Sequence, residues 1–175
     1  MRALVIASVA AALFVSTAGA SPHAAAKDPL RGSWDGAPYT INRLRDLLLG
    51  VGYSPNEITQ YINTSGRNSP LLKNFQFHLS FYRSNGRPYV DVWGQDTVAN
   101  RWNAHYDPRR YTLLPNHRVA FTWEKQRWVF KYSVKGKTLS LRVVASTDAS
   151  KTKAEVRLDR ALLYEIASSP FHKPR

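Results

Sequence analysis

Two periodicities divide this chain. Between residues 42 and 64 apolar side chains recur every three or four positions, and from Phe75 onward every second position. Leu44, Leu47, Leu48 and Val51 stand at i, i+3, i+4 and i+7, one stripe of a helix. Asn42 is the expected N-cap, and Gly50 and Gly52 are stop signals. Ser54-Pro55-Asn56-Glu57 starts a second helix: Ser54 caps, Pro55 suits the first helical position, and Glu57 closes a capping box. Ile58, Tyr61 and Ile62 form its apolar face, and Gly66 ends it.

Phe75, Phe77, Leu79 and Phe81 alternate with Gln76, His78, Ser80 and Tyr82, which predicts a half-buried strand. Asn85-Gly86 is a hairpin turn, because both central residues of a type I′ turn need positive φ. Tyr89 to Trp93 returns. Further strands are predicted over 102–106, 111–114, 118–123, 128–134 and 139–143, with turns at Pro115-Asn116 and Lys135-Gly136. A polar loop is expected over 145–153. A last helix is expected over 155–167, presenting Leu158, Ala161, Leu162 and Ile166 to the sheet. Closely spaced strands of this kind form a meander that curls into a barrel or sandwich. The fold class is therefore α+β, mainly β: an antiparallel β-barrel or strongly curved sheet with an N-terminal helix pair and a C-terminal helix.

The N-terminus is different. Arg2 precedes an apolar run from Ala3 to Val15, and Ala18-Gly19-Ala20 supplies the small residues of a cleavage site. We therefore expect a signal peptide over 1–20, cleaved near Ala20, a flexible leader over 21–27, and one β-rich domain over 28–175, secreted and not membrane-spanning. A domain of that length needs no disulfide, and the chain has no cysteine, which removes thiol catalysis and cysteine-bound metals. Twenty-five Lys and Arg against twelve Asp and Glu give a net charge of +13, a field that attracts anionic partners such as cell-envelope polymers.

Catalytic patterns are scarce. No P-loop, dinucleotide fingerprint or nucleophile elbow occurs. The five histidines have no metal-ligand spacing, so no metal and no cofactor is expected. Asp91, Asp96 and Asp107 could pair as glycosidase carboxylates, but acidic residues near turns are more often surface groups. The helix pair imitates a helix-turn-helix, yet its second helix carries no Lys or Arg for phosphates or guanine, so no nucleic acid is expected.

Aromatic residues are the most informative feature. Fourteen of the twenty-one lie between Phe75 and Tyr132. They build a core, line a cavity for an apolar ligand, or form an exposed platform beside arginines. The cavity candidates are Trp93, Trp102, Tyr106, Trp123, Trp128 and Phe130. The candidates for an anionic partner are Arg109, Arg110 and Arg127. The leading expectation is non-catalytic binding of a small hydrophobic or amphiphilic molecule; the alternative is a basic and aromatic surface that holds an acidic polymer or partner protein.

The order of motifs resembles secreted bacterial lipocalin-like proteins of the calycin type. Gly32-Ser33-Trp34 is similar to the G-x-W motif that opens their first strand, and Asp35-Gly36-Ala37-Pro38-Tyr39 leads into a helix as theirs does. The hairpin Val134 to Leu141 and the tail Ser169-Pro170-Phe171-His172-Lys173 match in position, while the T-D-Y motif of true lipocalins is missing. The resemblance implies a barrel floored by Trp34, with a cup for a small apolar molecule and no enzymatic step.

Overall fold

The computed structural model describes residues 28–64, 74–96 and 101–174. The expected signal peptide, leader and Gly66 lie outside them. Among the described residues nine strands and three helices follow one another as β1 (Gly32–Gly36), β2 (Tyr39–Thr40), α1 (Ile41–Gly50), α2 (Pro55–Thr64), β3 (Asn74–Ser84), β4 (Arg87–Asp96), β5 (Arg101–Leu114), β6 (Arg118–Trp123), β7 (Gln126–Lys135), β8 (Thr138–Asp148), α3 (Lys153–Ile166) and β9 (Phe171–His172). No helix among the described residues is long and apolar enough to cross a membrane.

From β3 to β8 each strand pairs antiparallel with the next. The ring closes because β1 pairs with β3 on one side and with the two-residue β9 on the other, while β9 also pairs with β8. β2 continues β1 along the same edge of β3. The result is a closed eight-stranded antiparallel barrel, consistent with a calycin-like fold.

Strict alternation sends Phe75, Phe77, Leu79 and Phe81 inward, where they meet Val90, Val92, Phe121, Phe130 and Leu139 in one core. Asn85 and Gly86 both have positive φ, at 50° and 74°, as the predicted turn requires. α2 starts on the expected capping box: Ser54 Oγ accepts from Glu57 N–H, and Glu57 Oε2 accepts from Ser54 N–H.

Three expectations are corrected. Thr40, not Asn42, caps α1, its side chain accepting from Arg43 N–H. β8 runs on to Asp148 through what looked like loop. The two strands expected over 102–106 and 111–114 are one, because Pro108, which has no N–H to give the ladder, sits in a bulge. Val90 faces Arg109 and Val92 faces Tyr106, so Asp107 and Pro108 together oppose Asp91. That extra residue changes the phase of β5. Tyr106 and Arg109, three apart, both turn inward.

Candidate functional site

The barrel's two ends are built differently. The hairpin turns at Asn85, Asn116 and Gly136 gather at one end, which the segment before β1 seals. There Trp34 is fully buried and donates from Nε1 to Leu30 O at 2.7 Å. The Lys173 ammonium lies 5.0 Å from the centre of the Trp34 ring. Asp28 accepts from Leu30 N–H and from the Tyr111 hydroxyl. Burial, and then the Asp28 carboxylate, raise the pKa of Tyr111, so this hydroxyl stays protonated. Every ring at this end has a neighbour: Phe81 meets Tyr111 and Phe121 edge-on, and Phe121 meets Phe130.

At the other end α2 and α3 lie across the mouth. Their anchor is Glu165, fully buried on α3, whose two carboxylate oxygens accept from Tyr39 of β2 and Tyr61 of α2. The sequence reading did not single out Glu165, although a signal existed. It stands seven residues after Leu158 and four after Ala161, on the helical stripe that faces the barrel. Outside this anchor, Arg157 pairs with Glu57, donates to Gly52 O at 2.7 Å and lies over Tyr53. The hydrogen bond from Arg157 holds the Glu57 carboxyl down at about 2, and burial pushes Tyr53 up to about 12.

Between this helical cover and β5–β7 a cleft of about 620 Å³ remains open, within the range of small-molecule sites. Tyr61, Tyr106, Trp123, Trp128, Leu158 and Leu162 supply its apolar wall; Arg109, Gln126, Asp159 and Thr64 line it with polar residues, and His105 and Asp107 border it. Arg109 is its most unusual member. Only 5% exposed, it lies with its guanidinium 3.6 Å from the centre of the Trp128 ring and 5.5 Å from that of Trp123. Nη2 donates to Gln126 Oε1 at 3.1 Å. Nε and Nη1 are buried with no hydrogen-bond partner among the described residues. Burial lowers the Arg109 pKa to about 10, which leaves it charged at neutral pH.

The expected site residues separate accordingly. Tyr106, Trp123 and Trp128 come together in the cleft. Phe130 is inward but wholly inside the packed core. Trp93 faces outward, because it alternates with the buried Val92, and it stacks on His105 with centroids 3.7 Å apart. On the same outer row His78 Nδ1 lies 2.6 Å from Asp35 Oδ1. Trp102 pairs with Gln95 through the backbone, and its side chain lies outside the described residues. Trp34 is at the sealed end. Arg109 belongs with the cavity residues rather than with a surface, since the bulge turns it inward, whereas Arg110 and Arg127 are exposed.

A shallower depression of about 420 Å³ beside the start of α3 gathers Lys151, Lys153, Arg157 and Arg160. Three of these are already engaged, Lys151 by Asp159, Arg157 by Glu57 and Arg160 by Ser146. Among the described residues no group of three or more acidic or histidine side chains could hold a metal ion. Comparison of the chain with protein-family models, with curated proteins and with solved structures found no match in any of the three.

Proposed function

We propose that this protein binds a small amphiphilic molecule, without catalysis, in the cleft at the helical end of its barrel. The observation that carries this reading is the apolar wall of Tyr106, Trp123, Trp128, Leu158 and Leu162 around an open volume of about 620 Å³. The centre of the barrel is filled by its own side chains, and the sealed end carries only a smaller depression of about 390 Å³ beside Pro29, His117 and Tyr132, so the ligand sits at the mouth and not deep in a cup. The secreted lipocalin-like character suggested by the motif order is part of the same proposal. The closed barrel and Trp34 at its floor beneath Lys173 support the lipocalin-like part, and secretion rests on the N-terminal pattern of Arg2, the apolar run from Ala3 to Val15 and Ala18-Gly19-Ala20.

The test is saturable quenching of tryptophan fluorescence by medium-chain fatty acids, alcohols and amines. At least one class should saturate at one molecule per domain and raise the melting temperature. A ligand at 100 times its dissociation constant adds about 2.7 kcal/mol of stability. Trp123→Ala should weaken that binding. Absence of saturable binding across all three classes would remove the proposal.

A second reading has its own observation. Arg110, Thr122 and Arg127 face one another across β5, β6 and β7 on the outer surface, which places the two exposed arginines about 10 Å apart, two strand spacings. Such a row suits an acidic polymer, whose binding would fall steeply with salt. Unchanged polymer binding in Arg110→Ser/Arg127→Ser would remove this reading.

A further inference from the structure

We infer that the ligand of this cleft carries a single carboxylate head group, and that Arg109 receives it. The inference rests on the amphiphile reading above and names the chemistry of its polar end.

A guanidinium has five N–H donors and no acceptor. Burying one is costly unless those donors are matched, and a buried donor left unmatched costs about 1–3 kcal/mol. Here the neighbours cannot match them. Trp128 and Trp123 offer ring faces, which attract the cation but accept little from N–H groups lying in the guanidinium plane. Gln126 Oε1 takes one bond from Nη2, while Nε and Nη1 have none. The two carboxylates whose field the group feels, Asp107 and Asp159, form no ion pair with it, and Asp159 is held by Lys151 at 2.7 Å. The fold has placed a charged fork beside an apolar cleft and left it short of acceptors.

A ligand carboxylate is the acceptor that fits. It is planar, carries one charge and matches the fork with two parallel bonds. Gln126 shows where it enters. This side chain is half-buried, lines the cleft and already holds an amide oxygen against Nη2. Shifting it opens the guanidinium edge to a carboxylate oxygen, while the alkyl part of the ligand lies along Trp123 and Leu162. Asp107 and Asp159 on the rim repel a second negative charge, so the site favours a monoanion over a phosphate dianion or an acidic polymer.

The experiment compares dodecanoate, dodecanol and dodecyltrimethylammonium, each below its micellar concentration, by tryptophan quenching of the full protein at neutral pH. Dodecanoate should bind at least about 10-fold more tightly than dodecanol, the value of one charge-assisted hydrogen bond. Dodecyltrimethylammonium should bind most weakly. Arg109→Met should abolish the preference, so that dodecanoate binds within about 2-fold of dodecanol in that variant. The wild-type series stands without the variant should Arg109→Met fail to fold. Equal binding of all three head groups, or tightest binding of the ammonium, would overturn the carboxylate assignment and keep the amphiphile reading. Binding of none would overturn both.

Discussion

The sealed end and the helical end of this barrel solve the same problem with opposite results. Both contain tryptophans, a buried charged or polar group and a nearby cation. At the sealed end the buried Trp34 and Tyr111 are answered, Trp34 by Leu30 and Tyr111 by Asp28. At the helical end Trp123 and Trp128 flank a guanidinium with two unanswered nitrogens, beside open volume. Satisfied polar groups and dense packing stabilise a fold, whereas unmet donors beside a cleft cost stability and are a mark of binding sites. The difference is what supports placing the proposed binding site at the helical end.

Tryptophan replacement should separate the ends most clearly. Trp34→Ala removes a fully buried indole and strands a carbonyl oxygen, and should cost about 4 kcal/mol in chemical denaturation. Trp123→Ala, half-buried at the cleft, should cost less than half as much. Equal losses would mean that the ends do not differ as described. Tyr111→Phe sharpens the point by removing only the hydroxyl that Asp28 accepts, for an expected loss of about 1–2 kcal/mol; a denaturation midpoint unchanged from wild type would contradict it. The smallest effect, and the most telling sign, belongs to Arg109→Met. Losing the stack on Trp128 is offset by removing a buried, under-bonded cation, so stability should stay the same or rise by up to about 2 kcal/mol. A clear drop in melting temperature would show that Arg109 is a structural group.

Local signals were legible where local physics decides. The Ser54–Glu57 capping box, the Asn85-Gly86 turn and the alternation from Phe75 to Phe81 each express a rule that holds within a few residues. Of the aromatic cavity candidates, Tyr106, Trp123 and Trp128 line one cleft. Trp93 stands with Asp91 and Gln95 on the row that alternates with the buried Val90 and Val92, so its outward face follows from the phase of β4, and its size alone made it a cavity candidate. Arg109 stands in the sequence as a candidate for an anionic partner, and the bulge that turns it inward is fixed only by strand pairing. Pro108 was the available warning.

The amino-acid pattern by itself determined the class of structure: antiparallel strands joined by tight turns, a helix pair before them and a helix after. Hydrophobic period and turn chemistry are properties of neighbouring residues, so they need no partner to be read. Tertiary structure alone decided how the ring closes, through a β9 of only two residues, and which end remains open. It also decided that Glu165 is buried between two tyrosines from distant elements, and that a one-residue bulge turns Arg109 into the barrel. These outcomes depend on which groups are brought together from far apart in the chain. A buried charge is tolerated only where the surrounding fold supplies its neighbours.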